Sequence, residues 1–223
     1  MRVLSIQVGR PRTVEHEGDV VTSGIWKAPV EGPVWLRTLN LDGDQQADLT
    51  VHGGRDKALY SYSHDAYPAW RALRPNDVFE NGALGENLTV DVIDEKKVCI
   101  GDVYALGAAL VQVSQPRLPC YKLGVKFDDP QILRQFITLA RPGVYFRVLQ
   151  EGQVQSGDEL RFVSREPVEV SVAEVFVLAA HGSDDEALLE RVLRVQAMPE
   201  QWLSKAAKCL RLARPSWRPG RPE

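Results

Sequence analysis

The chain has 223 residues, a formal net charge of −3 and 44% apolar residues. That length supports one domain of ordinary size plus a small second unit, and the composition excludes a disordered chain and a nucleic-acid coat. No apolar run approaches the roughly 20 residues a membrane-spanning helix needs. The start "MRVLSIQVGR" has neither a secretory nor a transit pattern and the cysteine count of three is odd, so the expected location is a reducing cytoplasm.

From the first residue to about Phe162, short β-branched runs alternate with Gly, Pro, Asn and Asp. In chain order, "RVLSIQVG", "GPVWLRTL", "ADLTVHGG", "KALYSYS", "NLTVDVI", "VCIGDVYALG", "ALVQVSQ" and "GVYFRVLQ" read as strands, and Glu151-Gly152 as a tight hairpin turn before "QSGDELRFV". Two helices interrupt them: "HDAYPAWRAL", and "DDPQILRQFITLA" with an Asp cap and Pro130 at its first position. After "REPVEV" the pattern becomes helical in three successive segments, "SVAEVFVLA", "SDDEALLERVLRV" and "MPEQWLSKAAKCLRLA", the second capped by Ser183 with Glu186. The expected architecture is mainly β, a barrel or sandwich over residues 1–165, followed by a three-helix unit over residues 166–223 with a frayed basic end.

The three cysteines differ in setting. Cys99, in an apolar strand, and Cys209, in the last helix, read as buried packing thiols. Cys120, in "SQPRLPCYKLG", follows no strand or helix period. Pro116 and Pro119 stiffen its loop, and Arg117 and Lys122 add positive charge that favours a thiolate, the form that attacks electrophiles and binds soft metals. A well-packed corner remains the alternative.

In "DLTVHGGRDKALYSY", a strand runs into His52, then Gly53 and Gly54, then Arg55 and Lys57. Adjacent glycines let backbone N–H groups converge on an anion, although a glycine turn with a basic tip would look the same. "GALGENLTV" places Glu86 and Asn87 at a glycine turn before a strand, where they either face a pocket or serve the turn itself. There is no zinc spacing, Walker loop, dinucleotide fingerprint, iron–sulfur cysteine cluster or serine-hydrolase elbow.

In order, "SGIWKAPVEGPV", "LDGDQQADLTVHGGRDKALYSY", "GENLTV", "GD", "QPRLPCYKL" and "GVYFRVL" resemble the MOSC family, the C-terminal-type domain of molybdenum cofactor sulfurases, across most of the first two-thirds of the chain. The helical tail resembles the bacterial branch of the N-hydroxylaminopurine resistance type. The resemblance implies a MOSC β-barrel that binds the molybdenum cofactor in its molybdopterin form, with Cys120 coordinating molybdenum. The implied activity is reductive removal of the hydroxyl from N-hydroxylated bases and related compounds such as amidoximes, and homodimers are expected. Because the chain carries no flavin or nicotinamide fingerprint, electrons are expected from an external flavin or iron–sulfur reductase. Leu118 and Tyr121 stand where Gln and Trp are more usual, which bears on substrate preference.

Joined to that resemblance, Lys27, Gly53, Gly54, Arg55 and Lys57 are candidates for the cofactor's phosphate. Arg117 and His52 are candidates to steady or protonate the departing oxygen, and Asn87 is a candidate orienting donor. The alternative function is a cofactor or sulfur carrier holding a persulfide on Cys120 without turnover. An interaction module built on Lys205, Lys208, Arg211, Arg214 and Arg218 is a third reading, against which stands an ordinary solvated helix face.

Overall fold

A computed structural model describes residues 1–47 and 53–213. His52, most of the expected strand "ADLTVHGG", Arg214 and Arg218 lie outside the described residues.

The chain opens with β1 (Val3–Val8), β2 (Arg12–His16), β3 (Asp19–Ser23), β4 (Ala28–Pro29) and β5 (Val34–Leu36). A 3-10 turn at Arg55–Lys57 precedes β6 (Leu59–Ser63), and another at His64–Ala66 leads into α1 (Tyr67–Leu73). Next come β7 (Leu88–Val90), β8 (Val103–Leu106), β9 (Ala109–Pro116), α2 (Tyr121–Phe127), α3 (Gln131–Leu139) and β10 (Val144–Gln150). The series ends with β11 (Gly152–Val154), β12 (Leu160–Ser164), α4 (Val172–His181), α5 (Glu186–Arg194) and α6 (Glu200–Ala213).

One sheet runs β12-β8-β9-β10-β6-β7-β1-β4, with β6 and β7 its parallel pair. Its ends are brought together where Leu160 N donates to Met1 O at 2.8 Å, Val3 N donates to Asp158 O at 2.8 Å, and Arg2 bridges Glu159. The sheet therefore curls back on β1 and becomes barrel-like, which removes an exposed edge. The inward positions of β9 and β10, including Val111, Val113, Val144 and Phe146, fill its interior.

The helical unit shares that core. Val172, Val175 and Leu178 of α4 belong to the same apolar cluster as β9 and β10, while Phe176 packs on Phe136 of α3 in a second, aromatic cluster. In α6, Trp202, Ala206 and Leu210 recur at a spacing of four and are buried, the stripe an amphipathic helix turns inward.

Several local expectations are corrected. Glu151-Gly152 does not close a hairpin: β11 leaves β10 and pairs with β5, placing Gly152 opposite Leu36. A Cβ on Gly152 would lie 2.4 Å from the Ala108 carbonyl carbon, so this glycine serves close backbone approach. The hairpin β2–β3 turns instead at Glu17 (φ 52°) and Gly18 (φ 86°), and Glu17 in a left-handed conformation gives little signal in sequence. Pro130 is the N-cap of α3 rather than its first residue, and Asp129 Oδ1 accepts from Gln131 N at 2.8 Å. Asp185, not Ser183, caps α5 by accepting from Leu188 N; the capping box sits on α4, between Ser171 and Glu174.

Candidate functional site

Cys120 is not in a bare loop. It is the extended N-cap residue of α2, half-buried, reached through the stiff connector Pro116–Pro119 as β9 ends. Beside it opens a cleft of about 110 Å3 whose lining contains Lys27, Asp44, Lys57, Asn87, Arg117 and Lys122. Among the described residues the charged lining is four cations against one carboxylate.

Each of these residues is set by the fold around it. Asp44 is buried and accepts from Gly9 N at 2.7 Å, from Asn87 Nδ2 at 2.9 Å and from Lys27 Nζ. Lys27 is thereby held at the cleft, and burial lowers its pKa against the opposing pull of Asp44. Lys57 is the last residue of the 3-10 turn, which is fastened by Asp56: its carbonyl accepts from Ser114 Oγ at 2.6 Å and Gln115 Nε2 at 3.2 Å, and its carboxylate pairs with Arg147 at 2.8 Å. Burial also lowers the pKa of Lys57, whereas Asp56 and Cys120 pull it back up.

Arg117 is 6% exposed, donates through Nη1 to Leu84 O, and lies over the Tyr60 ring at 4.8 Å. No carboxylate forms an ion pair with it among the described residues. Burial pulls its pKa down, but Tyr60, Tyr145 and Cys120 outweigh that, so the net displacement is upward and the guanidinium is a permanent cation. It can steady negative charge beside Cys120, but the expected protonating role does not suit it. Lys122, on the first turn of α2, is 8% exposed and has no hydrogen bond or ion pair among the described residues.

The glycine turn at Glu86 and Asn87 proves to be internal scaffolding. Glu86 accepts from Gly82 N at 2.8 Å, Leu84 N at 3.1 Å, Thr89 Oγ1 at 3.0 Å and the Tyr67 hydroxyl. Asn87 reaches the cleft, but its Nδ2 is committed to Gln7 O at 3.2 Å and Asp44, and its Oδ1 accepts from Tyr60 N at 3.2 Å. With both amide ends occupied it orients Asp44, not a ligand.

Among the candidates, then, Lys27, Lys57, Asn87, Arg117 and Cys120 converge on one cleft. Gly53, Gly54 and Arg55 are not part of its lining among the described residues; Arg55 is exposed, and Gly54 adopts φ 88° to start the turn that delivers Lys57. Asp44 and Lys122 complete the cleft. Asp44 carries no mark in the sequence, because nothing local shows a carboxylate in "LDGDQQ" to be buried, and Lys122 reads there only as flanking charge.

Residues 48–161 match the family model of the MOSC domain. The chain belongs to the MOSC family. It is 41% identical over 206 residues to the uncharacterized protein YflK of Bacillus subtilis, a match covering 92% of this chain and 93% of that one. A reductase of Gibberella moniliformis is 38% identical over 166 residues, covering 73% of this chain and 29% of the fungal protein. The crystal structure of YiiM from Geobacillus stearothermophilus superposes with a TM-score of 0.78 at 34% identity, covering 94% of this chain and 98% of that one. The YflK match and the YiiM superposition, each covering more than nine-tenths of this chain, extend over both the barrel and the helical tail.

No group of three or more His, Cys, Asp and Glu side chains suited to a metal occurs among the described residues. Among the described residues, a metal at Cys120 would therefore find few protein ligands besides that sulfur. The donor set fits a molybdenum–pterin cofactor on those terms: one soft sulfur, with cations placed for an attached phosphate. No helix among the described residues is long and apolar enough to cross a membrane.

Proposed function

We propose that this protein binds a molybdenum cofactor in the Cys120 cleft and reduces N-hydroxylated compounds. The observation that carries the reading is a half-buried thiol at the edge of a cleft lined, among the described residues, by four cations and one carboxylate. Cys120 would ligate the metal, Arg117 with Lys27 and Lys122 would take the phosphate, and Arg117 would also steady the charge that gathers near the sulfur. When bound, the cofactor supplies two-electron chemistry that no side chain can.

The overall change is R–NHOH + 2e⁻ + 2H⁺ → R–NH₂ + H₂O: the N–O bond breaks, the oxygen leaves as water, and the electrons come from an external flavin or iron–sulfur reductase. Lys57, with its lowered pKa and its place beside Cys120, is the candidate to hand a proton from Nζ to the departing oxygen. His52 remains a candidate from sequence for the same task.

The test uses protein matured in a host that makes the cofactor, given a reductase and N-hydroxylaminopurine. Amine formation in proportion to molybdenum content is expected. Equal rates from molybdenum-free preparations would overturn the reading, and labile sulfur on Cys120 with no reduction would favour the carrier instead.

A further inference from the structure

Cys120 borders a second cavity besides the cationic cleft. This slot, about 190 Å3, is walled by Leu118 and Pro119 of the connector, Tyr145 of β10, and Gln201 and Trp202 of α6. Lys57, Leu118, Cys120 and Tyr145 are shared by both spaces, whereas Gln201 and Trp202 line the slot alone. The chemistry of the two differs: among the described residues Lys57 is the slot's one charged lining residue, and its other walls are apolar, aromatic or carboxamide surfaces. An anionic cofactor suits the first space, whereas a flat neutral ring suits the second.

The wall contributed by α6 is rigid. Trp202 donates from Nε1 to Gln115 Oε1 at 2.9 Å, and Gln201 Nε2 donates to the same oxygen. Gln115, itself buried in β9, uses its Nε2 on Asp56 O, which fixes the turn carrying Lys57. One carboxamide thus ties the helical unit, the sheet and the site lysine together. Burial of the stripe Trp202, Ala206 and Leu210 fixes the rotation of α6, so the indole is held as part of the wall.

We propose that the slot between the Cys120 connector and α6 is the substrate site, and that Trp202 makes the protein prefer planar heteroaromatic N-hydroxylated compounds over small aliphatic ones. The inference rests on the reductase reading above. It gives the helical unit a part in substrate selection: the barrel supplies the cofactor cleft and the helix supplies one face of the substrate's.

Trp202→Phe in the full chain tests this. For the variant, kcat/KM for N-hydroxylaminopurine relative to acetamidoxime should fall about 5-fold, with the loss in KM rather than kcat, because a smaller ring loses part of the stacking face. Independently of turnover, adenine should quench the intrinsic fluorescence of the wild type and not that of Trp202→Phe. Should that variant fold poorly, Gln201→Trp, at an exposed helix position, should fill the slot and raise KM for the purine more than for the amidoxime.

An unchanged substrate ratio and unchanged adenine quenching in a folded Trp202→Phe protein would overturn the slot. If the wild type reduces no N-hydroxylated compound but adenine quenching still depends on Trp202, the slot stands as a ring-binding site and the reductase reading falls.

Discussion

Two arginines, one largely exposed and one buried, carry opposite lessons. Arg165 gives Asp102 two hydrogen bonds, at 2.7 and 2.8 Å, and Asp102 is wholly buried, so the charges cancel and the pair fastens the chain after β12 to the turn before β8. Arg117 is more deeply buried than Arg165, yet among the described residues it meets a carbonyl and aromatic faces, with no carboxylate pairing. A buried cation without a counter-ion costs stability, and a fold keeps one where a ligand or a reactive thiolate will supply the missing charge. The balanced pair is architecture, and the unbalanced one marks the site. Lys27 and Lys122 repeat the contrast at smaller scale: Lys27 is tied to Asp44, whereas Lys122 is buried without a partner among the described residues.

Substitutions should separate these roles. The largest effect is expected for Arg165→Ala, which strands the Asp102 carboxylate: stability to urea should fall by about 3 kcal/mol. Lys126→Met should act in the other direction. Lys126 is pushed down to about 8, first by burial and also by the neighbouring charges of Arg117, Arg12 and Lys27. Below pH 8 the folded protein carries the full cost of that buried charge; the cost fades as pH rises from 8 towards the ordinary value of 10.5, where the unfolded chain also loses the proton. The variant should therefore be about 1–2 kcal/mol more stable than the parent at pH 7, with the advantage shrinking above pH 8. A constant difference across that range would show that its charge is not the cause.

Arg117→Gln should leave stability within about 1 kcal/mol while weakening thermal protection by inorganic phosphate about 10-fold in concentration. Equal destabilisation by Arg165→Ala and Arg117→Gln would dissolve the distinction between them. The smallest effect is expected for Lys122→Met, a roughly 3-fold loss of phosphate protection with unchanged or slightly raised stability.

Much of this was legible in the chain because the signals are local. Strand and helix periods located most elements, and the prolines around Cys120 singled out that residue from Cys99 and Cys209. Cys99 is buried, with its thiol pushed up to about 11 by desolvation, and Cys209 packs against the core. What sequence could not supply is partnership across the fold. Asn87 looks like a site donor until Asp44 and Gln7 take its amide, and Lys205 looks like part of a basic face until it donates to Ala179 O at the end of α4. Trp202 reads as an ordinary core residue of an amphipathic helix, since nothing near it announces that α6 ends up beside Cys120.

The most direct test of the account is molybdenum and pterin content in the wild type and Cys120→Ala, both matured in a cofactor-producing host and both confirmed folded. Metal bound in stoichiometric amount by the wild type and reduced by more than about 10-fold in the variant is the expected result. Equal molybdenum in the two proteins would contradict the assignment of Cys120 as the ligand around which the cleft is built.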